Sequence, residues 1–156
     1  MEPSPPPTSG PQLIFHYTLR QHYQGMLRDG AIQPATAYAP QAKRAAVWFT
    51  SRADWDPIVN KAIVCADETR RVLNRDELHT IGLGPMRLGV SARVAPLTWH
   101  DFKRASGNPP KVSSILVDAA ARCQSHPSNW FATFEPVPQS EWLAVEQWDG
   151  WRWVPV

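Results

Sequence analysis

Hydrophobic positions follow two different spacings along this chain, and each spacing indicates one type of element. An apolar, β-prone run at 13–18 predicts a strand, and apolar residues then recur at helical spacing over 19–29 until Gly30 ends the helix. Residues 86–94 place apolar side chains at alternate positions, which is typical of a strand with one buried face. Residues 112–123 carry an apolar stripe at helical spacing, so we expect a second long helix there.

Aromatic and β-branched residues concentrate in short runs in the middle and at the end of the chain. Such runs are typical of strands, particularly where Pro or Asp-Gly turn signals separate them. The runs lie at 45–51, 130–134, 141–146 and 151–154. Strands scattered among helices, with the late strands joined by short turns, predict an α+β fold rather than a doubly wound parallel sheet.

The stretch from 55 to 84 carries mixed signals. Pro57 favours the opening of a helical turn, and the residues at 68–73 favour a helix. Asn74 is a typical helix cap and predicts a short helix after it, and Thr98 has the same role before another predicted helix. The assignment of this stretch therefore depends on weak local propensities.

Composition restricts the class of protein. The chain has 156 residues, of which 43% are hydrophobic and 19% charged, and its net charge is +2. These values fit one soluble domain, contain no apolar run long enough to span a bilayer, and give no electrostatic footprint for nucleic acid. Cys65 and Cys123 lack CxxC spacing, so we expect two reduced, partly buried thiols and no metal site.

The N-terminus differs in composition from the rest of the chain. Four Pro within residues 3–7 favour an extended, hydrated backbone, so we predict a flexible Pro-rich tail over 1–11 and a single domain over 12–156. A loop is expected at 35–44. The tail has neither the basic stretch nor the apolar core of a secretory signal, so we expect a cytoplasmic location and no membrane partner.

No phosphate loop, GxGxxG, HExxH or GxSxG motif occurs in the chain. The candidate residues are instead His16, the cluster at 48–51 and Glu141, each on a predicted strand. Taken alone, a His on an apolar strand is more often structural, Trp48 beside Phe49 is more often core, and a single Glu is usually solvated. Most of the eight Trp are expected to be structural, with Trp48 as the exception.

In combination, these segments resemble the ADP-ribosyltransferase superfamily. The matching pieces are Phe15-His16-Tyr17-Thr18, Val47-Trp48-Phe49-Thr50 and Ser140-Glu141-Trp142-Leu143, in this order across nearly the whole chain. The order is similar to the His-aromatic-Glu branch of diphtheria toxin, the poly(ADP-ribose) polymerases and small bacterial toxins of the DarT type. Tyr17 stands where polymerase-like members usually have Gly, and Trp48 stands where they have Tyr.

The resemblance implies an ADP-ribosyltransferase-like split β-sheet with flanking helices. It also implies an enzyme that uses NAD+ as co-substrate, cleaves its nicotinamide-ribose bond and transfers ADP-ribose to a macromolecular acceptor, either protein or nucleic acid. A bacterial or prophage toxin of this kind would have a cognate antitoxin or immunity protein as a further partner. A non-catalytic module that binds ADP-ribose, NAD+ or a protein is the alternative, and an unrelated Trp-rich interaction domain is a third hypothesis.

The resemblance assigns the catalytic role to a carboxylate. Glu141 would stabilise the charge that develops on the ribose when the bond to nicotinamide breaks. Glu146 and Glu135 compete for this role, but Glu146 lies five positions further on and has the opposite side-chain parity, so both cannot serve one face of a strand. Glu141 is ranked first because it opens the predicted strand. Candidates for contact with the diphosphate or with a nucleic-acid acceptor are Arg44, Arg87 and Arg93.

The resemblance also implies a set of residues that bind NAD+. His16 would fix the pose of a ribose, and backbone groups of Tyr17 would hold the nicotinamide amide. Trp48 would offer a flat aromatic surface to the cationic nicotinamide ring. The hydroxyl-bearing members of the set are Thr18, Thr50 and Ser51.

Overall fold

The computed structural model describes residues 12–35 and 44–156. The strands are β1 Leu13–Leu19, β2 Ala31–Ile32, β3 Val47–Thr50, β4 Lys61–Val64, β5 Arg70–Leu73, β6 Pro85–Ser91, β7 Leu97–Thr98, β8 Trp130–Thr133, β9 Val137–Pro138, β10 Ala144–Trp148 and β11 Trp153–Pro155. The helices are α1 Arg20–Asp29, α2 Arg75–Thr80, α3 Trp99–Ala105 and α4 Pro110–Cys123. The predicted tail at 1–11 and most of the predicted loop at 35–44 lie outside the described residues.

A seven-stranded antiparallel sheet organises the fold, in the order β11-β10-β6-β1-β3-β8-β7. β2 and β9 form a separate pair, and β4 and β5 form a second one. The predicted α+β class is therefore confirmed. Cys65 and Cys123 are free and half-buried, as expected.

The predicted helix ends are confirmed by their local bonds. Gly30 has φ of 70°, in the left-handed region that Gly adopts easily, and its N–H donates to the carbonyl of Met26 at the end of α1. Asn74 begins α2 through a reciprocal capping box with Glu77. Thr98 begins α3 through its own capping box, so both cap predictions hold.

Alternation along β3 sends its side chains into two different cores. Val47 and Phe49 join a core on one face of the sheet, where α1 contributes Tyr23 and Met26. The members of this core are Ile14, Ile32, Val47, Phe49, Leu88, Val90, Ala95 and Val137. Trp48 packs against a second core on the other face, with Ala46, Trp99, Phe102, Ala120, Trp130 and Ala132. Because neighbouring strand residues point to opposite faces, one short strand supplies both layers.

The sheet is weakly joined at its centre. β6 pairs with β1 from Leu13 opposite Ser91 to Leu19 opposite Pro85, whereas β3 is in register with β1 only at Phe15 opposite Thr50. The two strands part beyond this point. The strands on either side of the junction nevertheless belong to one continuous sheet.

The predicted helix at 68–73 is wrong. Arg70–Leu73 forms β5, which pairs with β4 and places Val72 opposite Ala62. Glu68 has φ of 68°, a left-handed conformation that closes the hairpin turn and cannot continue a right-handed helix. Cross-strand pairing has therefore overridden a weak local helix propensity.

The predicted strand at 141–146 is displaced toward the C-terminus. Gln139–Glu141 forms a 3-10 turn, and β10 begins only at Ala144. The turn is fixed by Trp142, whose indole N–H donates to the carbonyl of Val137 at 3.2 Å and whose ring lies 6.3 Å from that of Tyr23. Glu141 therefore does not open a strand, which was the reason for ranking it above Glu146.

Two other strand limits also differ from the prediction. β6 ends at Ser91, and residues 92–94 form a 3-10 turn. The carboxylate of Asp149 accepts from the backbone N–H groups of Trp151 and Arg152. These two residues therefore belong to the hairpin turn, and β11 begins only at Trp153. Trp151 lies in this turn and is 91% exposed, so it is an exception among the Trp residues expected to be structural.

Candidate functional site

A cavity of about 100 Å³ lies beside the weak central junction of the sheet. Its walls come from β1, β3, β8, α3, α4 and the 3-10 turn Pro57–Val59. Four residues of the predicted NAD+ set line it: His16, Tyr17, Trp48 and Thr50. An apolar cavity of about 150 Å³ can hold a benzene molecule, whereas cofactor sites usually measure about 300–1,000 Å³. The cavity as it stands is therefore close to the size of one ring and too small for a dinucleotide.

His16 contributes a neutral imidazole to this cavity. Its Nδ1 lies 2.8 Å from the carbonyl oxygen of Trp48, and since a carbonyl only accepts, Nδ1 carries the proton. Burial lowers the pKa of His16 to about 4, aided by the nearby Lys61 and His22, while the bond to Trp48 acts in the opposite direction. Nε2 is thus an unprotonated acceptor.

The bond made by His16 also has a structural role. The carbonyl of Trp48 lies where β3 parts from β1, so a neighbouring strand does not satisfy it. The imidazole N–H replaces the missing ladder bond. The same residue therefore supports the junction through Nδ1 and presents a lone pair through Nε2.

Trp48 is both a core residue and a wall of the cavity. Its ring lies 4.5 Å from Phe102, 6.0 Å from Trp99 and 6.4 Å from Trp130, measured between centroids. These four rings are called the aromatic core below. Such edge and tilted contacts fix the orientation of the indole, so the wall that it forms is rigid.

The predicted hydroxyl groups are engaged within the protein. Thr50 Oγ1 donates to Asp56 Oδ2 at 2.8 Å and accepts from the N–H of Arg52 at 3.2 Å. Ser51 Oγ donates to Asn129 Oδ1 at 3.0 Å, and Ser51 does not line the cavity. Either hydroxyl would have to break an existing bond before it could donate to a ribose.

Thr18 lies away from the other predicted contacts. It is buried on β1 opposite Met86, and it does not line the cavity. Glu135 is exposed after β8 and is likewise absent from the cavity walls. Arg44 does line the cavity, where its guanidinium carbon lies 3.6 Å from the centre of the Phe134 ring.

Asp56 is a buried carboxylate that the sequence reasoning missed. It is completely buried and accepts from Thr50 Oγ1 and from the N–H of Ile58 at 3.2 Å. It thereby ties β3 to the 3-10 turn Pro57–Val59, and both of these line the cavity. Its position before Pro57 is a cap signal that was available in the sequence, but its burial was not.

Glu146 lies in one cross-strand row with Tyr17, a residue of the cavity wall. The sheet register sets Tyr17 opposite Arg87 and Arg87 opposite Glu146, so their side chains share a face. Arg87 Nε lies 2.9 Å from Glu146 Oε1, and the two side chains are 15% and 20% exposed. The guanidinium also lies 4.8 Å from the ring centres of Phe15 and Trp153.

Glu141 lies apart from this row. Its carboxylate is 3.4 Å from Arg93, just beyond the end of β6. Val145 lies in the same cross-strand row as Leu88 and His16. Glu141 comes four residues before Val145, a separation of at most about 13 Å along an extended chain. The structure therefore gathers four predicted NAD+ contacts at one cavity, while neither Glu141 nor Glu146 lines it.

A short segment, residues 52–54, crosses the sheet above the row that contains Glu146. We call this segment the strap. Its three consecutive carbonyls accept from side chains of three different strands: Tyr17 Oη to Arg52 at 2.6 Å, Arg87 Nη1 to Ala53, and Trp153 Nε1 to Asp54 at 3.0 Å. Arg75 adds an ion pair of 2.7 Å to the carboxylate of Asp54. No motif in the sequence indicated the strap.

Tyr17 connects the strap with the cavity. Its ring lines the cavity and packs 5.0 Å from Trp55, while its hydroxyl holds the strap. Burial raises the pKa of Tyr17 far above its usual value, and the nearby Arg87 opposes this shift. The phenol is therefore neutral and acts as a donor over the whole working range of pH.

Three comparisons complete the description of the site. Family models, curated proteins and solved structures gave no match to the chain. Within 12–35 and 44–156, no cluster of His, Cys, Asp or Glu is arranged to hold a metal ion. The helices in those ranges are all too short or too polar to cross a bilayer.

Proposed function

We propose that the chain is an NAD+-dependent mono-ADP-ribosyltransferase of the toxin or prophage-effector type, built on a split-sheet fold. The observation that supports this function is the common cavity of His16, Tyr17, Trp48 and Thr50, residues that lie on two strands far apart in sequence. The parting of β3 from β1 beside that cavity supports the split sheet. NAD+ is the co-substrate, and the acceptor is a protein or a nucleic acid.

The cavity suits the nicotinamide end of NAD+. Aromatic walls attract a flat cationic ring, and the lone pair on His16 Nε2 can accept from a ribose hydroxyl. When the glycosidic bond breaks, its electron pair leaves with nicotinamide and positive charge develops on the ribose carbon. The acceptor then adds its nucleophilic atom to this carbon and releases a proton.

Glu146 is the carboxylate that we assign to this charge. It shares a row with Tyr17, which lines the cavity, whereas Glu141 lies in a turn beyond the end of the row. Arg87 holds the Glu146 carboxylate in a fixed orientation at 2.9 Å. An oriented carboxylate stabilises a developing cation better than a mobile one, because little reorganisation is needed during the reaction.

The test is nicotinamide release from NAD+, measured by chromatography, together with transfer of label from NAD+ to a cell lysate. Treating parallel lysates with nuclease or protease identifies the acceptor class. Glu146→Gln should lower release by about 100-fold or more, because losing one such electrostatic contact typically costs that much. Glu135→Gln is the matched control and should retain full activity.

Glu141→Gln decides between the two carboxylates. Full activity in this variant is expected if Glu146 acts on the ribose. Loss of activity in Glu141→Gln together with normal activity in Glu146→Gln would return the role to Glu141. Absence of nicotinamide release by the unmodified chain with every lysate would refute the enzymatic proposal.

A binding module is the second candidate, and one observation favours it. No Asp or Glu lines the described cavity walls. Isothermal titration with NAD+, ADP-ribose and nicotinamide separates the two functions. Binding of one of these ligands without any nicotinamide release over a long incubation would select the binding module.

A further inference from the structure

The strap is attached differently from the rest of the sheet. Its carbonyls are held by the side chains of Tyr17, Arg87 and Trp153, and it is not itself a strand of the sheet. A few side-chain bonds are individually weak, so a segment that depends on them can open without unfolding its surroundings. The strap therefore has the attachments of a local, separable unit.

The flanks of the strap are fixed to the body of the domain. Ser51 makes two bonds to Asn129, from its N–H at 2.9 Å and from its hydroxyl at 3.0 Å. Asp56 is completely buried on the other side and bonded to Thr50. Two fixed flanks around an exposed middle that is held through side chains are the arrangement of a hinged flap.

The position of the strap determines what it covers. Its carbonyl bonds reach β1, then β6, then β11, and in the sheet β10 lies between β6 and β11. The residue of β10 in this row is Glu146, opposite Arg87. Trp153 is opposite Trp148, which points to the same face as Glu146 because the two are two residues apart. Glu146 consequently lies under the strap.

Tyr17 lies between the cavity and Arg87, the partner of Glu146. Its ring is a wall of the cavity, and its hydroxyl is the first attachment of the strap. A cavity of about 100 Å³ cannot enclose a dinucleotide, for which sites of about 300–1,000 Å³ are usual. Release of the Tyr17 bond would let the ring turn and open the cavity toward Arg87 and Glu146.

We propose that the strap is a hinged cover that must lift to admit a dinucleotide to Glu146 and the cavity. The identity of the ligand as NAD+ rests on the proposed function, whereas the opening of the strap does not. The closed form binds poorly because the cavity is smaller than a dinucleotide and Glu146 does not line it. The apparent affinity for the ligand is therefore set by the small fraction of molecules in which the strap is open.

Trypsin provides a direct measurement of opening, because the bond after Arg52 lies within the strap. Cleavage of the folded full chain at this bond tracks the open population when opening is fast. The bond after Arg87, in the centre of the sheet, reports global unfolding in the same sample. Mass spectrometry of the fragments gives both rates.

Two substitutions each remove one hydrogen bond to the strap and keep an aromatic ring at the position. Tyr17→Phe and Trp153→Phe should each accelerate cleavage after Arg52 by about two- to tenfold, the range for loss of one hydrogen bond, and leave cleavage after Arg87 unchanged. Tyr23→Phe and Trp142→Phe are the matched controls and should leave the rate after Arg52 unchanged. Equal cleavage rates at both bonds in the unmodified chain, or no acceleration in either variant, would overturn the proposal.

The link to the ligand is tested with Trp153→Phe, since Trp153 does not line the cavity. If the cover controls entry, the dissociation constant of the Trp153→Phe variant for NAD+ should fall by the same factor by which its rate of cleavage after Arg52 rises. Faster cleavage with an unchanged dissociation constant would show that the strap opens without controlling entry, and would overturn its role as a cover. If no variant binds NAD+ at all, the proposed function fails, while accelerated cleavage still supports the hinge.

Discussion

One face of the central sheet contains two regions that are held together by different forces. The aromatic core joins Trp48, Trp99, Phe102 and Trp130 through ring contacts, with Trp99 and Trp130 buried. The strap region instead joins Tyr17 and Arg87 to a crossing segment through hydrogen bonds, with ion pairs of Arg75 to Asp54 and of Arg87 to Glu146, and the latter pair remains 15–20% exposed. The cavity lies at the border, since Trp48 and Tyr17 both line it.

The difference indicates how one small domain can combine a rigid wall with a movable one. Close aromatic packing loses energy steeply when the rings separate, so the core side of the cavity resists opening. Exchanging a protein hydrogen bond for one to water changes the free energy much less. Ligand-dependent motion is therefore expected on the strap side, and stability is expected to depend on the core side.

The largest test of this contrast is Trp130→Ala. Truncation removes a buried indole with ring contacts to Trp48 and Trp99, and it leaves a cavity, so we expect a loss of about 3–5 kcal/mol in the free energy of unfolding. Urea denaturation measures this loss. Trp151→Ala is the control, since its 91% exposed ring should change stability by less than about 0.5 kcal/mol. A loss below about 1 kcal/mol for Trp130→Ala would contradict the idea of a tightly packed wall.

The second test uses pH at the junction between the two regions. Burial holds the pKa of His16 at about 4, below its usual value of 6.5, so the folded state resists protonation more than the unfolded chain does. The contribution is fully present above about pH 6.5 and is lost as pH falls toward 4, by about 3 kcal/mol in total. Urea denaturation from pH 7.5 to 4 measures this slope.

His16→Asn separates titration from packing in this experiment. The Asn amide can still donate to the carbonyl of Trp48, but it does not titrate. The variant should therefore lose most of the dependence on pH between 6.5 and 4, while His22→Gln should keep it. An unchanged slope in His16→Asn would mean that His16 is not the group responsible.

The individual helices and strands were largely predictable from the sequence, and the strap was not. Helix caps such as Asn74 and Thr98 act within a few residues, so their signals identified α2 and α3. Alternation at 86–91 likewise indicated which residues enter a core, because burial follows side-chain parity. Local rules were sufficient wherever the structure depends on local geometry.

The strap and the carboxylates depend on contacts between distant segments. Glu146 meets Arg87, 59 residues away, and Trp153 meets Asp54, 99 residues away, and no spacing rule relates such pairs. The start of β10 was missed for the same reason, since the Trp142 ring packs on α1 and holds 139–141 in a turn. The candidate NAD+ contacts could be proposed only from a resemblance that joined several short motifs.

The third test concerns the anchor between the two regions. Asp56→Ala removes the acceptor for Thr50 Oγ1 and for the N–H of Ile58, so we expect a loss of about 2 kcal/mol in the free energy of unfolding. The Asp56→Asn variant keeps one oxygen acceptor and should lose less. Thermal and urea denaturation of both variants measure the difference. Equal stability of Asp56→Ala and the unmodified chain would show that the buried carboxylate does not anchor the strap.

The smallest expected effect is the coupling between Arg87 and Glu146. Fully buried ion pairs are costly to break, whereas exposed ones contribute little, and side chains that are 15–20% exposed lie between these limits. A double-mutant cycle with Arg87→Met and Glu146→Gln should give a coupling of about 1 kcal/mol, measured by urea denaturation. Met preserves part of the packing against Phe15 and Trp153, so the cycle reports mainly the charge interaction. The coupling should decrease at 1 M salt, because the Debye length falls to about 3 Å there. A value of several kcal/mol that does not respond to salt would mean that the strap region is sealed like the aromatic core, and the contrast between a rigid and a movable wall would not hold.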